Sequence, residues 1–309
     1  MVKALVTGGA GFIGSNVVEL LIQDGWDVNV LDNLSTGNKE LLPQSVNLII
    51  GDIRDKEAVR IAAKDCSVVF HLAAFIVVAE SLTKITDCVD INVSGTANVI
   101  DVSVKEGIKR IIFSSSSAVY AETAVCPSPE TALCKPQSVY GQTKLTGEEL
   151  MTLASVGCGI ETISLRYFNV YGPGQSVVGS YPSVIPSFIS RALNNEPLRI
   201  FGDGNQTRDF VFVQDVANAN VKAAVANMGS IKTTTWNIGC GIPTPIIELA
   251  NSINSICGQT TDSLTFEPPL QGDIYESCAD IQLSKKQIPW KPTISLQDGL
   301  QLTYHGWKV

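Results

Sequence analysis

The chain has 309 residues, enough for one large domain or two modest ones with a substantial core. Its apolar fraction of 45% and charged fraction of 17% are those of an ordinary folded globular protein. The net charge of −8 argues against nucleic acid or an anionic membrane as a partner, because such contacts require clustered Lys and Arg.

The N-terminal residues M-V-K-A-L-V-T-G-G run directly into a strand and a glycine loop. No stretch approaches the roughly 20 apolar residues that span a bilayer, so we expect a cytoplasmic protein without a membrane partner. The eight cysteines are scattered without a C-x-x-C pair, and the chain contains only two His. We therefore expect reduced core thiols and no metal site.

Strand and helix patterns alternate through the first half of the chain. A helical pattern follows the first strand and stops at Gly25. The predicted strands cover residues 2–6, 28–31, 47–50, 67–72, 110–113 and 162–167. This alternation is typical of a parallel sheet covered on both faces, and it predicts a doubly wound α/β fold.

The pattern changes after Phe168, where turn-rich stretches such as Y-G-P-G-Q separate the helical segments. Helices are predicted near residues 183–195, 215–228, 244–257 and 295–305. We assign residues 1–168 to the doubly wound domain and 169–309 mainly to a smaller α/β lobe that binds substrate. A segment around 205–240 is expected to return to the first domain.

The first loop, T-G-G-A-G-F-I-G, places Gly8, Gly11 and Gly14 between a strand and a helix. Glycine at these positions lets the backbone approach a pyrophosphate, and the helix N-terminus attracts its charge, so the loop predicts a Rossmann-type dinucleotide site. Asp32 ends the second strand, where a carboxylate binds ribose hydroxyls and repels a 2′-phosphate. This favours NAD over NADP. Asp52 in G-D-I lies where it could reach the adenine, although it is equally consistent with an ordinary turn residue.

The stretch S-V-Y-G-Q-T-K places Tyr140 and Lys144 four residues apart, on one face of a helix. A protonated Lys144 is expected to lower the pKa of Tyr140 and to make it a usable base. Spacing alone does not decide the matter, because Tyr304 and Lys308 share it. The serines at 114–117 follow a strand and are consistent either with turn residues or with donors to a substrate oxygen.

Motifs along essentially the whole chain resemble those of the extended short-chain dehydrogenase/reductases, above all the UDP-hexose 4-epimerases of the UDP-galactose and UDP-N-acetylglucosamine type. They include G-G-A-G-F-I-G, D-N-L-S-T-G, S-S-S-S-A-V-Y, Y-G-Q-T-K and R-Y-F-N-V-Y-G-P. The resemblance implies that Ser116, Tyr140 and Lys144 are catalytic, whereas Tyr304 and Lys308 match no family motif.

The resemblance also implies a set of NAD-binding residues. In this set Asn92 is the structural and cofactor-side Asn, Asp52 with Ile53 contacts the adenine, and Tyr167 lines the nicotinamide. The full set is Gly8, Gly11, Phe12, Ile13, Gly14, Asp32, Asn33, Ser35, Thr36, Gly37, Asp52, Ile53, Leu72, Ala73, Ala74, Asn92, Ser114, Tyr140, Lys144 and Tyr167.

The same resemblance implies the substrate-binding residues. Arg208 would bind the diphosphate bidentately, and Asp273 would meet the ribose of the nucleotide. Leu270 and Tyr275 stand where relatives commonly carry Arg, which leaves Arg208 more isolated and opens the question of which nucleotide is bound. The full set is Ser116, Ser117, Asn169, Val184, Ile200, Phe201, Arg208, Asp273 and Ser277.

The reaction implied is oxidation and return at the sugar C4. Tyr140 takes the proton of the 4-hydroxyl while hydride leaves for NAD, and the 4-keto sugar then turns over and takes the hydride back on its other face. Ser117 and Ala118 occupy the places of the Asp-Glu pair of the dehydratases, so dehydration lacks its acid and base.

Ser277 stands at a position where a bulky Tyr in the resembled family acts like a gate that excludes 2-acetamido sugars. The small side chain predicts a preference for UDP-GlcNAc/UDP-GalNAc, with UDP-glucose/UDP-galactose also accepted. The alternatives are UDP-glucose/UDP-galactose alone, UDP-glucuronate, an ordinary ketoreductase, or a non-catalytic NAD-binding regulatory protein. A homodimer is expected from the resemblance, built from helices around 84–105 and 138–156.

Overall fold

The computed structural model describes residues 2–175, 183–259, 264–269 and 274–307. Its first half contains β1 (Lys3–Thr7), α1 (Phe12–Gln23), β2 (Asp27–Asp32), β3 (Asn47–Ile50), α2 (Lys56–Ala63), β4 (Val68–His71), α3 (Ile85–Val89), α4 (Gly95–Lys105), β5 (Arg110–Ser116), α5 (Val139–Cys158) and β6 (Glu161–Tyr167). The second half contains β7 (Asn169–Tyr171), α6 (Val184–Leu193), β8 (Leu198–Phe201), β9 (Thr207–Phe212), α7 (Val213–Ala224), β10 (Thr233–Ile238), β11 (Pro243–Pro245), α8 (Ile246–Cys257), β12 (Leu264–Glu267), α9 (Gln282–Gln287) and α10 (Leu296–Trp307).

Seven of these strands form one parallel sheet, in the order β10-β6-β5-β4-β1-β2-β3. The strand order reverses between β1 and β4, and in open sheets of this kind ligands bind in the crevice beyond the carboxyl ends of the strands at that point. The predicted doubly wound α/β fold is confirmed. The edge strand β10 comes from the second half of the chain.

Both faces of the sheet are buried, which explains the continuous apolar runs of its strands. In β1, Ala4 and Val6 face a core shared with α1 and α7, whereas Leu5 faces a second core that includes Val59 of α2 and Met151 of α5. The alternation of side chains along a strand therefore divides one apolar sequence between two cores. The carboxyl ends of the strands are thereby fixed as a rigid rim.

The smaller lobe has a core of its own, which includes Tyr171, Phe188, Phe212, Leu249 and Leu300. A three-stranded sheet in the order β11-β9-β7 and a two-stranded sheet of β12 and β8 contribute to it. Four of these strands have three or four residues. Such short strands lie inside the turn-rich stretches of the sequence, which is why only the helices of this lobe were predicted.

One strand boundary corrects the sequence analysis. β5 was expected to end at Phe113, but it continues to Ser116, with Ser114 paired to Leu165 and Ser116 to Tyr167 of β6. The serines are therefore part of the sheet rather than of a turn after it. Among the described residues, no helix combines the length and the apolar character needed to cross a membrane.

Candidate active site

A cavity of about 930 Å³ lies along the carboxyl edge of the sheet. The predicted NAD-binding residues line it, with the exception of Gly37 and Asn92. Of the predicted substrate-binding residues that the structure describes, only Ser116 lines it. The fold thus gathers the motifs of the first half around one cavity, and Val170, Gln175, Ser183 and Ile274 of the second half complete its wall.

The glycine loop is closely packed at the floor of this cavity. Gly8 has a φ of +70°, and a Cβ there would lie 2.6 Å from the backbone nitrogen of Ala73. A Cβ on Gly14 would collide with the carbonyl oxygen of Gly8. Gly11 is the N-cap of α1 and brings no side chain to the helix N-terminus, which is open to the cavity. This backbone cradle fits the diphosphate of a dinucleotide.

Asp32 is fixed in the wall at the end of β2. Its Oδ2 accepts a hydrogen bond from the backbone N–H of Ala10 (2.9 Å), and its Oδ1 accepts one from Leu34 (2.8 Å). Gly37 belongs to the same packing, because a Cβ there would lie 2.9 Å from the Asp32 Oδ1. Each carboxylate oxygen retains a second lone pair, so the arrangement fits a pair of ribose hydroxyls.

Asp52 is held by neighbours at the adenosine end of the cavity. Arg54 donates to both of its oxygens at 2.9 Å, and Asn33 Nδ2 donates to Oδ2 at 2.8 Å. The hydrogen bonds from Arg54 hold the pKa of Asp52 well below its usual range. Asp52 is therefore ionised and fixed in place.

Helix α5 presents Tyr140 and Lys144 to the serines of β5. The Ser116 hydroxyl lies close enough to the Tyr140 phenol to lower its pKa. Lys144 Nζ donates to the carbonyl oxygen of Ser114 at 2.7 Å, and the Ser114 hydroxyl donates to Tyr167 Oη at 3.0 Å. The structure therefore brings the three predicted catalytic residues together. Tyr304, which shares the spacing, packs in the core of the smaller lobe.

The pKa of Tyr140 differs from the expectation. Burial raises it to about 12, against the opposing effect of Ser116. Burial also lowers the pKa of Lys144 to about 8. The prediction that Lys144 lowers the pKa of Tyr140 is wrong for this geometry, because its ammonium is directed to Ser114 and lies 5.8 Å from the centroid of the phenol ring.

Asn92 lies in a π-helical turn, Asp90–Ser94, between α3 and α4. Its Oδ1 accepts from the backbone N–H of Phe75 (2.7 Å), and its Nδ2 donates to the Phe75 carbonyl (3.1 Å) and to Thr143 Oγ1 (3.0 Å). Asn92 therefore ties the loop after β4 to α5. This accounts for the structural part of the role that was expected of it.

The predicted substrate residues of the smaller lobe require one correction. Ile200 is fully buried in the core of that lobe, so its side chain is not available to a ligand. Ser277 is half-buried, and its backbone N–H donates to the Thr207 carbonyl at 3.2 Å, which places it beside Arg208. Asp273 lies outside the described residues, as does residue 270. The others are half-buried: Ser117, Asn169, Val184 and Phe201.

The sequence analysis missed an apolar wall and a polar group of the cavity. Ile76, Val78 and Leu82 line it and are 55%, 45% and 61% exposed. Gln175 also lines it, and in the described part of the chain its buried Oε1 has no hydrogen-bond partner. The only signal for Gln175 was its place at the end of Y-G-P-G-Q, and none marked the wall.

The sheet, the glycine loop and the Tyr–Lys pair beside it together define a dinucleotide-dependent enzyme of the short-chain dehydrogenase type. Residues 4–239 match the model of the NAD dependent epimerase/dehydratase family, and the chain belongs to this family. Family membership confirms the predicted resemblance and NAD as the cofactor, which the glycine loop and Asp32 fit.

Three similar proteins cover nearly the whole chain. A Methanocaldococcus jannaschii protein, provisionally named a UDP-glucose 4-epimerase, is 42% identical and covers 98% of both chains. The structure of UDP-glucose 4-epimerase from Thermotoga maritima with UDP-glucose has a TM-score of 0.94 at 36% identity, and covers 99% of this chain and 98% of that one. The structure of UDP-N-acetylglucosamine 4-epimerase from Methanobrevibacter ruminantium M1, in complex with UDP-N-acetylmuramic acid, has a TM-score of 0.93 at 33% identity, with the same coverage.

Proposed function

We propose that the protein is an NAD-dependent epimerase that inverts C4 of a UDP-sugar through a 4-keto intermediate. The preferred pair is UDP-GlcNAc/UDP-GalNAc, with UDP-glucose/UDP-galactose also accepted. The observation that carries the reaction type is the meeting of Ser116, Tyr140 and Lys144 beside the glycine loop, in a cavity of about 930 Å³. The 4-epimerase names of the similar proteins support it.

The roles follow from the geometry. When bound, NAD supplies an acceptor for the electrons of the sugar C4–H bond and a cationic ring. Tyr140 accepts the proton of the 4-hydroxyl and later returns it, and Ser116, which lies beside the phenol, relays that proton. Lys144, directed by the Ser114 carbonyl, holds a positive charge on the same helix face. Arg208 is assigned to the diphosphate.

Preference for an acetamido sugar rests on Ser277. Its small side chain lies on the segment that runs beside Thr207 and Arg208. The family resemblance implies that a bulky Tyr at this position excludes an N-acetyl group, which Ser277 would admit. The similarity to a UDP-N-acetylglucosamine 4-epimerase supports this preference. Among the described residues, the ionisable Asp, Glu, Lys and Arg side chains that line the cavity are Asp32, Asp52 and Lys144, so no spare cation meets a sugar carboxylate.

The second candidate is an epimerase restricted to UDP-glucose and UDP-galactose. The names of the M. jannaschii and T. maritima proteins favour it. The two candidates differ only in whether the 2-acetamido group is admitted.

The deciding experiment is to incubate the purified protein, without added cofactor, separately with UDP-GlcNAc, UDP-glucose and UDP-glucuronate. Proton NMR follows the C4 epimers. Fast interconversion of the acetamido pair is the expected result. Conversion of UDP-glucose alone would establish the second candidate, and no conversion even with NAD supplied would contradict the proposed reaction.

We also infer a homodimer formed through α4 and α5. Large apolar side chains are exposed on α5 and on α3, which leads into α4: Val89 is 40% exposed, Leu153 67% and Val156 80%. Light scattering coupled to size exclusion tests this, and replacement of Leu153 and Val156 by Glu should give a monomer.

A further inference from the structure

Glu148 is the third side chain in a row along α5, four residues beyond Lys144 and eight beyond Tyr140. Residues at this spacing share one helix face. Glu148 is 6% exposed and has a full set of partners. Its Oε1 accepts from Ser115 Oγ at 2.5 Å and from Arg166 Nε at 2.9 Å, and its Oε2 accepts from Arg166 Nη2 at 2.7 Å.

The row on α5 is in register with three consecutive serines of β5. Tyr140 meets Ser116, Lys144 meets the carbonyl of Ser114, and Glu148 meets the hydroxyl of Ser115. A slide or rotation of α5 over the sheet would break all three contacts together. Glu148 closes the end of the row that lies farthest from the cavity.

Arg166 anchors Glu148 to a wider network. Its Nη1 donates to Tyr120 Oη and to the Glu130 carbonyl, both at 3.0 Å, and Tyr120 in turn donates to Asn237 Oδ1 at 2.6 Å. A buried ion pair satisfied in this way adds little net stability but defines one geometry well. This favours a role in alignment over a role in stability.

We propose that Glu148 is a positioning residue: it fixes α5 in register with β5, and its negative charge keeps Lys144 protonated. The inference rests on the proposed function and deepens it. In the described part of the chain, the ionisable groups around Lys144 are Tyr140 and Glu148 on α5, Cys88 on α3 and His71 on β4. Arg166 on β6 is paired with Glu148, and Tyr167 on the same strand accepts from Ser114.

The electrostatic part has a definite sign. Burial lowers the pKa of Lys144 to about 8, and Cys88 and the Glu148 carboxylate act in the opposite direction. Without that carboxylate, the ammonium loses its proton at a lower pH. Activity and NAD affinity that depend on the ammonium would then be lost at a lower pH as well.

The principal test is Glu148→Gln, which preserves the size of the side chain and one acceptor oxygen. We expect kcat near pH 7 to fall roughly 10- to 100-fold with KM within about twofold, because small misplacements of reacting groups are costly. The alkaline limb of the pH profile should move down by about one pH unit. The matched control is Glu149→Gln, an exposed neighbour on the same helix with the same change of charge, which should shift neither.

A second variant separates alignment from charge. Ser115→Ala removes the 2.5 Å hydrogen bond but keeps the ion pair with Arg166, so kcat should fall while the alkaline limb stays in place. Wild-type kcat in Ser115→Ala, or equal pH profiles in Glu148→Gln and Glu149→Gln, would overturn the proposal. If Glu148→Gln does not fold, Ser115→Ala decides.

NAD affinity gives a readout that does not need turnover. Calorimetry with NAD across pH 6–10 should show the same downward shift of the alkaline limb in Glu148→Gln, and no shift in Glu149→Gln. If the wild type epimerises no UDP-sugar, the proposed function fails, and this comparison still decides the role of Glu148.

Discussion

Gly147 offers a sharp test of how closely α5 must approach the sheet. It is buried in α5, and a Cβ there would collide with Cζ of Phe113 and lie 2.8 Å from its Cε1. Ordinary contact begins at 3.4 Å, so the second contact alone requires a movement of about 0.6 Å (3.4 − 2.8). Phe113 is 2% exposed and cannot yield freely. Gly147→Ala should therefore cost about 1–3 kcal/mol of stability, as overpacked cores do.

The matched control is Gly157→Ala on the same helix, where a Cβ meets nothing within 4 Å. Alanine is a better helix former than glycine, so this change should stabilise by up to about 1 kcal/mol. The midpoint of thermal denaturation should fall in Gly147→Ala and rise in Gly157→Ala.

Because α5 carries Tyr140 and Lys144, epimerase kcat should fall by about 100-fold in Gly147→Ala and stay unchanged in Gly157→Ala. A Gly147→Ala protein with raised thermal stability and full kcat would refute the reasoning.

Three further predictions concern single side chains. Asn254 is 1% exposed, and neither of its amide atoms has a hydrogen-bond partner in the described chain. Asn254→Leu should therefore raise the free energy of unfolding by about 1–3 kcal/mol in urea titrations. A lower free energy of unfolding would show that the amide is satisfied. Ser277→Tyr should lower kcat/KM for UDP-GlcNAc at least tenfold and leave UDP-glucose nearly unaffected; equal losses would contradict the gate. Between about pH 8 and 10.5 the unfolded chain holds a proton on Lys144 that the folded chain has released, so the contribution of this residue to stability increases with pH. Denaturation at pH 7 and at pH 10 should therefore show that the free energy of unfolding of the wild type increases relative to that of Lys144→Met.

The sequence was most informative where apolar strands are buried on both faces. The strand predicted over 162–167 is observed as Glu161–Tyr167, and the one predicted over 28–31 is observed as Asp27–Asp32. It failed where polar residues continue a strand. Ser114 and Ser115 ended the apolar run of β5, yet they remain in the sheet because β6 pairs with their backbone and other side chains accept their hydroxyl hydrogen bonds.

The spacing of Tyr140 and Lys144 predicted that they share a helix face, but it did not predict their ionisation. That depends on burial, which comes from residues distant in sequence. Ser81 shows the same limit: it is fully buried, and its hydroxyl accepts the backbone N–H of Tyr140 at 3.2 Å across 59 positions. No local pattern relates the two, so the apolar wall around Ser81 could not have been assigned to the site.

Burial moves the two proposed catalytic groups away from the charges that the proposed reaction requires. It favours the neutral phenol of Tyr140 and the neutral amine of Lys144, whereas proton transfer requires a phenolate and an ammonium. The surrounding groups act against burial at each residue: Ser116 on the phenol, and Cys88 with the Glu148 carboxylate on the amine. Ser116 and the Ser114 carbonyl to which Lys144 donates come from one short stretch of β5, and Glu148 is bound to the same stretch through Ser115. The register of α5 on β5 therefore sets both the geometry and the ionisation of the site.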